Sequence, residues 1–162
     1  KAVIGEALRI SADIYRDGHD IPGACGRWRQ RDDADWRAAP MAEINNDRWE
    51  AEVEPAVLGV HDYVIEAWTD RLATLAHDIS VKELAGEPVD VEIAEVALEE
   101  ERQRSGILPA DLTRLGPLQV WVDRKRAVYG AWYELFPRSE GGFTRAAQSR
   151  LPDVAAMGFD VG

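Results

Sequence analysis

Hydrophobic and polar residues alternate with a period of two along the first seventy residues, which is the pattern of half-buried β-strands. In Leu8–Ile14 every second residue is apolar, and the residues between them are polar. Turn-forming residues at 16–23 precede a strand that contains Trp28, and residues 36–41 predict a further strand. Asn45–Trp49 joins two apolar stretches through residues that tolerate left-handed backbone, which predicts a hairpin.

Five or six short strands, with turn signals about every ten residues, predict an immunoglobulin-like β-sandwich and therefore a mainly β fold. The longest predicted strand, Leu58–Trp68, places Tyr63 shortly after a Leu-Gly corner. A tyrosine that enters a late strand in this way is typical of the tyrosine corner of such sandwiches. The sandwich is assigned to residues 1–72, together with a last strand at about 117–124.

The pattern changes to a helical period between the two parts of the predicted sandwich. Gly86, followed by Pro88, predicts the end of a first helix, and Ile93–Glu100 predicts a second helix that is rich in glutamate. A loose segment rich in Gly and Pro then extends to Pro117. Residues 73–116 are therefore expected to form a helical insertion. The apolar residues at helical spacing in the first helix are Leu72, Leu75, Ala76, Ile79 and Leu84.

The last forty residues have a different pattern from the predicted sandwich. Val128–Pro137 is too apolar for a half-exposed strand and is expected to be buried on both faces, as in a parallel sheet. A helix that ends at Gly158 is expected next, and a further strand is expected to open at Val161. Residues 125–162 therefore predict the first strand–helix unit of a parallel α/β domain, and the chain is expected to be a fragment.

Composition and charge narrow the possible partners. The net charge of −11 and the pI near 4.7 argue against nucleic acid, because phosphate binding needs clustered Lys and Arg. The single cysteine, Cys25, excludes an internal disulfide, and no apolar run approaches the ~20 residues that span a bilayer. The three histidines share no ligand spacing. We therefore expect a cytoplasmic protein with no metal, no cofactor, and neither nucleic acid nor membrane as a partner.

Six tryptophans in a small β-rich chain suggest carbohydrate binding, because exposed aromatic rings pack well on sugar rings. Trp28 and Trp49 occupy inward-facing strand positions, where core packing is the more common role. Trp36 is therefore the candidate carbohydrate-binding residue, and no residue is assigned a catalytic role. From these residues alone, a carbohydrate-binding module and a purely structural or interaction domain both remain open.

The segment Ala131–Ser139 resembles the first barrel strand of the α-amylase superfamily, with a Tyr-Glu-Leu-Phe core that ends in Arg-Ser. Together with its flanking residues, the chain resembles the alpha-1,4-glucan:maltose-1-phosphate maltosyltransferases of bacterial glucan synthesis. The resemblance is specific from Arg16 to Arg71 and from Asp123 to Val161. The other stretches that carry it are Ser11–Asp13, Arg16–Asp20, Arg27–Trp28, Asn45–Trp49, Ile65–Arg71, Arg126, Gly130, Phe143–Thr144, Arg150–Pro152 and Ala155–Val161.

The resemblance implies a homodimeric enzyme in which an immunoglobulin-like domain with an inserted helical bundle precedes a catalytic (β/α)8 barrel. Such an enzyme transfers maltosyl units from maltose 1-phosphate to an α-1,4-glucan and retains the anomeric configuration. A retaining mechanism uses two carboxyl groups about 5 Å apart. In the superfamily both lie on later barrel strands, beyond Gly162, so no catalytic residue is carried over to this chain.

The resemblance predicts a non-catalytic N-terminal fragment of such a glycosyltransferase, which supports dimerisation and the glucan site. Residues 125–162 are then the first unit of a truncated barrel, and the helical section Ala85–Pro117 is shorter than the family's bundle. The alternative is a stand-alone carbohydrate-binding β-sandwich module. Because the strand Val128–Phe136 lacks a parallel neighbour, we expect it to pack against the sandwich, to pair with another copy, or to be disordered.

Overall fold

The computed structural model describes residues 2–160, except for the side chains of residues 146 and 147. This part of the chain is mainly β, as predicted, and its strands form two sheets. The strands are β1 (Ala2–Val3), β2 (Leu8–Asp13), β3 (Pro22–Gln30), β4 (Arg37–Pro40), β5 (Ala42–Asn45), β6 (Arg48–Val53), β7 (Gly59–Thr69) and β8 (Thr113–Asp123). One sheet has the strand order β1-β8-β7-β3-β4, and the other has the order β2-β6-β5.

The two sheets share one hydrophobic core. Trp28 on β3 and Trp49 on β6 both lie in it with 8% of their surface exposed, which confirms the predicted core role of these two tryptophans. Burial of each large apolar side chain contributes about 1.5–3 kcal/mol to folding. The buried residues of the core are Ile10, Ala24, Trp28, Ala39, Met41, Trp49, Ala51, Val53 and Ile65.

β3 and β7 form the central pair of the larger sheet. They are antiparallel and in continuous register from Pro22 opposite Thr69 to Gln30 opposite His61. Because side chains alternate between the two faces of a strand, this register sends one set to the core and the other set to the outer face. Trp28 and Ile65 therefore belong to the core, whereas Arg27 belongs to the outer face.

The predicted hairpin at Asn45–Trp49 is confirmed. β5 ends at Asn45 and β6 begins at Arg48, and the two strands pair antiparallel. Between them, Asp47 has a φ of 64°, which is the left-handed conformation that Asn and Asp tolerate better than most residues.

Two helices, α1 (Arg71–Ala85) and α2 (Asp90–Arg104), connect β7 to β8. The carboxylate of Asp70 caps the start of α1 by accepting a hydrogen bond of 2.9 Å from the backbone N–H of Ala73. At the other end, Gly86 adopts a left-handed φ of 71°. This geometry confirms the predicted end of the first helix, and the second predicted helix is present as α2.

Ion pairs join the two helices along their length. Arg71 Nη2 lies 2.7 Å from Glu95 Oε2, and Lys82 Nζ lies 2.5 Å from Glu92 Oε1. The hydrogen bond from Lys82 lowers the pKa of Glu92 below its ordinary value. Only Thr74 and Leu75 are buried on α1, and α2 has no buried residue, so the helical pair is attached to the sheets mainly through the first half of α1.

β8 begins earlier than predicted. The prediction assigned Gly116 and Pro117 to a loose segment, but both lie inside the observed strand Thr113–Asp123. The register of β8 on β7 shifts between Tyr63 and Ile65, which accommodates this pair of residues. Gly116 has a φ of 123°, and a Cβ atom there would lie 2.9 Å from the carbonyl oxygen of Tyr63, so a side chain does not fit.

The short strand β1 was not predicted. Ala2 and Val3 pair parallel with Val122 and Asp123 at the end of β8. Val122 is fully buried there. Two residues are too few to produce a detectable alternation, so the pairing depends on tertiary contacts that the local pattern does not contain.

The prediction of a barrel strand at Val128–Pro137 is wrong. The chain instead forms a short helix, α3 (Arg126–Tyr129), and an irregular segment follows it. In that segment, the carbonyl oxygen of Ala131 accepts a hydrogen bond of 2.9 Å from the backbone N–H of Asp160. A parallel strand needs neighbours that satisfy its N–H and C=O groups, and residues 2–160 provide none at this position. An apolar run of this length does not by itself distinguish a buried strand from other buried backbone.

The predicted last helix is present in three short pieces. They are α4 (Phe143–Arg145), a π-helical turn (Ala146–Arg150) and α5 (Leu151–Ala156). Gly158 follows with a φ of 87°, as expected of the residue that ends the helix. The further strand predicted to open at Val161 lies outside the described residues. In the part of the chain that the structure describes, no helix has the length and apolarity needed to cross a membrane.

Candidate functional site

The outer face of the larger sheet carries a buried carboxylate between two guanidinium groups. Glu66 on β7 is 8% exposed. Its Oε2 accepts a hydrogen bond of 3.0 Å from Arg27 Nε on β3, and its Oε1 accepts one of 2.8 Å from Arg114 Nε on β8. A buried carboxylate is costly unless it is paired, so the two arginines compensate for the burial of Glu66. The hydrogen bond to Glu66 also raises the pKa of Arg27 above its ordinary value.

A second carboxylate on the same face has a similar environment. Asp62, four residues before Glu66 on β7, is 7% exposed. Arg31 Nη2 lies 3.5 Å from Asp62 Oδ1, and Arg29 Nη2 lies 4.0 Å from Asp62 Oδ2. The four arginines therefore outnumber the two carboxylates, and this face is locally positive although the whole chain has a net charge of −11.

Trp36 lies beside this network, immediately before β4. The guanidinium carbon of Arg29 lies 4.5 Å from the centre of the Trp36 ring, and Arg29 Nη1 donates a hydrogen bond of 3.0 Å to the carbonyl of Asp33. The cation–π contact and this hydrogen bond fix the turn that carries the tryptophan. Trp36 remains 37% exposed, as expected for the candidate carbohydrate-binding residue, whereas binding itself stays a prediction.

A cleft of about 380 Å³ lies between Trp36 and the segment that follows α2. Its floor contains the paired Arg27, Glu66 and Arg114, and Leu108 forms the opposite side. Val64 completes the lining. A second cavity of about 420 Å³ shares Arg27, Glu66 and Leu108 with the first and extends between the sheet and the helical pair. The two cavities therefore adjoin at these three side chains, and together they are called the groove.

The segment that carries Leu108 is attached to the sheet by Asp111. Asp111 Oδ2 accepts hydrogen bonds from Arg16 Nη1 at 2.7 Å and from the backbone N–H of Thr69 at 3.1 Å. The hydroxyl of Thr69 donates a further hydrogen bond to the same oxygen. Asp111 thus connects the return from the helical pair to the end of β7 and holds the wall of the cleft in place.

The sequence pattern predicted one residue that lines the cleft, but not the charged residues of its floor. Trp36 was predicted, but Arg27, Glu66 and Arg114 were not. The period-two pattern placed Arg27 and Glu66 at outward positions, which was the available signal, whereas Arg114 lay in a segment that was not predicted to be a strand. Cys25 is a buried free cysteine on β3 and does not line the cleft.

Three further tryptophans lie outside the core. Trp121 and Trp132 are exposed, and Trp68 is partly exposed and lines the second cavity. Trp121 shares the outer face of the sheet, because it lies opposite Val60 on β7. Trp36 is therefore one of several accessible tryptophans, and it is the one that lines the cleft above the Arg27–Glu66–Arg114 floor.

These groups are suited to binding by hydrogen bonds and ring contact. Guanidinium groups donate several hydrogen bonds in a fixed plane, and an indole offers a flat apolar face. Within residues 2–160, no group of three or more His, Cys, Asp or Glu side chains is arranged to hold a metal ion. The fold and the cleft define a β-rich domain with an open groove on the outer face of its larger sheet.

Comparison with known proteins gives the family of this domain. Residues 1–107 match the family described as alpha-1,4-glucan:maltose-1-phosphate maltosyltransferase, domain N/S. The chain belongs to this family.

Curated relatives extend the similarity over nearly the whole chain. The chain is 34% identical to alpha-1,4-glucan:maltose-1-phosphate maltosyltransferase 1 of Streptomyces coelicolor, over 99% of this chain and 31% of the relative. It is 32% identical to the maltosyltransferase of Myxococcus xanthus, over 99% of this chain and 32% of the relative. The chain therefore spans about a third of the length of these relatives. The first alignment covers 212 positions against 162 residues here, so at least 50 positions have no counterpart in this chain.

Replacing Asp111 by Asn is expected to lower the melting temperature at neutral pH. The hydrogen bonds from Thr69, and that from Arg16, lower the pKa of Asp111 in the folded chain. A carboxylate with a depressed folded pKa stabilises the protein above its unfolded pKa of ~3.9, and this stabilisation is lost as the pH falls through the folded pKa. The difference in melting temperature between wild type and Asp111→Asn should therefore be constant near neutral pH and shrink below about pH 4.

Asp32→Asn is the matched control, because Asp32 is exposed in the turn between β3 and β4. Its melting temperature is expected to follow that of wild type across the same pH range. A difference between wild type and Asp111→Asn that is equally large at pH 7 and at pH 3 would contradict the role of the Asp111 carboxylate.

Proposed function

We propose that the chain is the N-terminal, non-catalytic part of an enzyme that transfers maltosyl units from maltose 1-phosphate to an α-1,4-glucan. The observation that carries this proposal is the match of residues 1–107 to domain N/S of the maltosyltransferase family. The relatives named above support it, because their similarity continues through 99% of this chain. A cytoplasmic location is part of the proposal, supported by a single buried free cysteine, and cell fractionation checks it.

The fold proposed for the parent enzyme is an immunoglobulin-like sandwich with a helical insertion. We assign the sandwich to residues 1–72 and about 117–124, and the insertion to 73–116. The two packed sheets and the return of the chain to β8 after α2 support this division. We propose that the insertion is shorter than in the relatives. This is supported by the presence of two helices here and by the at least 50 alignment positions that have no counterpart in this chain.

Residues 125–162 are proposed to correspond to the start of the family's catalytic barrel. The support is a set of large apolar side chains that this segment exposes to solvent, because a contiguous exposed apolar surface indicates packing against further protein. Tyr133 and Phe159 pack edge to face at 5.1 Å beside the buried Val154, so part of the segment has a small core of its own. The exposed apolar residues are Val128, Tyr129, Trp132, Phe136 and Phe143.

The test of this function uses maltosyl transfer measured as phosphate release from maltose 1-phosphate in the presence of an α-1,4-glucan. The chain alone is expected to release no phosphate. When it replaces the corresponding part of the Streptomyces coelicolor relative, the hybrid protein is expected to be active, because the chain supplies the domain that supports the glucan site. Release of phosphate by the chain alone would contradict the non-catalytic role, and an inactive hybrid that is folded would contradict the assignment to this enzyme.

A dimerisation role is the second part of the proposal. The helical pair exposes apolar side chains that its own helices leave uncovered, with Leu84 88% exposed. Such a surface is expected to pack against a second copy of the chain. The other exposed apolar residues of the pair are Val81, Val91, Ile93 and Leu98.

Sedimentation velocity tests the dimer. The wild-type chain is expected to sediment as a dimer at micromolar concentration, and Leu84→Asp is expected to shift it to monomer, because a charge in an apolar interface is costly to desolvate. Ile44→Asp is the matched control, since Ile44 is exposed on β5, away from the helical pair, and should leave the dimer intact. A monomeric wild-type chain would contradict the proposed role.

The second candidate function is a stand-alone carbohydrate-binding module, with Trp36 as the sugar-binding residue. The observation that favours it is the cleft beside Trp36, which lies within this chain. The hybrid protein separates the two candidates. An inactive, folded hybrid together with glucan binding by the isolated chain would favour the module, whereas an active hybrid supports the maltosyltransferase part.

A further inference from the structure

We propose that the groove on the outer face of the larger sheet binds an α-1,4-glucan chain, with Trp36 as its stacking wall and Arg27 and Arg114 as its hydrogen-bond donors. Glu66 is the positioning residue that holds both arginines. This inference rests on the proposed function, since it names the atoms of this chain that would support the glucan.

The shape of the groove favours a chain-like ligand. The cavity of about 380 Å³ beside Trp36 and the cavity of about 420 Å³ beside the helical pair share three lining residues: Arg27, Glu66 and Leu108. A ligand with repeated units can therefore cross the Arg–Glu–Arg floor and continue toward Trp68, which lines the second cavity. A single sugar ring would occupy only one of the two cavities.

The floor offers donors that the protein does not use. Arg27 and Arg114 each bond to Glu66 through Nε. The bonds to Glu66 use only Nε of each arginine, and both side chains are at least 41% exposed, which leaves their Nη groups accessible to a ligand. A planar guanidinium with two unused amino groups can donate to two neighbouring hydroxyl oxygens of a sugar. The bond to Glu66 fixes the plane before the ligand binds, which lowers the ordering cost.

The tryptophan is also fixed in advance. The Arg29 guanidinium covers one side of the Trp36 ring at 4.5 Å. Arg29 does not line the cleft, whereas Trp36 does. Arg29 thus leaves part of the indole open to the cleft, and this part can pack on the apolar face of a pyranose ring.

The lining of the cleft suits a polyol. Glu66 neutralises part of the charge of the two arginines, so their remaining N–H groups can donate to neutral hydroxyl oxygens. Trp36, Val64 and Leu108 give the cleft apolar sides around a few polar groups. This combination matches a sugar, which presents apolar C–H faces and a rim of hydroxyl groups.

The test is calorimetric titration of the full chain with maltoheptaose, supported by retardation in native gels that contain soluble starch. Wild type is expected to bind, and Trp36→Ala is expected to weaken binding at least tenfold, because it removes the stacking surface. Arg114→Gln is expected to weaken binding several-fold, because its amide provides fewer donors and no longer forms a charged pair with Glu66. Trp132→Ala is the matched control, since Trp132 is exposed outside the groove and its loss should leave binding unchanged.

Circular dichroism and melting temperature are measured for each variant, so that loss of binding is compared among folded proteins only. If Trp36→Ala does not fold, the less disruptive Trp36→Leu takes its place, because it keeps an apolar side chain and removes the flat ring. A folded variant that lacks the ring and binds like wild type would overturn the proposal.

Other outcomes are equally decisive. No binding of maltoheptaose by wild type at millimolar concentration would overturn the proposal, as would loss of binding in Trp132→Ala alone. Binding of maltose 1-phosphate without binding of maltoheptaose would show an anion site and overturn the assignment to neutral glucan. An active hybrid enzyme combined with no glucan binding by the chain would contradict this inference and leave the proposed function standing. An inactive, folded hybrid combined with glucan binding by the chain would contradict the proposed function and leave this inference standing.

Discussion

The continuous antiparallel register between β3 and β7 is the constraint on which both the core and the cleft depend. Nine residue pairs follow one another without a bulge, from Pro22–Thr69 to Gln30–His61. Because the side-chain period of a strand is two, a slip of one residue would turn Trp28 and Ile65 outward and bring Arg27 inward. The same pairing that buries the core therefore also creates the charged outer face.

On that outer face, the burial of Glu66 has a structural and a functional consequence. A carboxylate that is 8% exposed needs partners, and Arg27 and Arg114 provide them from the two neighbouring strands. Each arginine uses only one nitrogen for this purpose, so the remaining donors border the groove. Stabilisation of the sheet and presentation of hydrogen-bond donors to the proposed glucan thus depend on the same three side chains. The segment that follows α2 adds the opposite wall through Leu108, and Asp111 anchors that segment to the sheet.

The strands of the two sheets were largely predictable, because alternation records which face of each strand is buried. The assembly of the cleft was not predictable to the same degree. Arg27 and Glu66 are 39 residues apart, and only the pairing of β3 with β7 brings them together. Arg114 was missed because Gly116 and Pro117 resemble a linker, although a local shift in register accommodates them inside β8. Val128–Pro137 was misassigned because its apolar composition does not specify the parallel neighbours that a buried strand requires.

We propose that the outer face of the larger sheet holds a glucan at Trp36, above the Arg27–Glu66–Arg114 floor. The most direct measurement is a nuclear magnetic resonance titration that follows the six tryptophan indole N–H signals as maltoheptaose is added. We expect the Trp36 signal to shift until it saturates, while the signals of the core residues Trp28 and Trp49 remain in place. Unchanged signals throughout the titration, or a shift confined to Trp132, would contradict it.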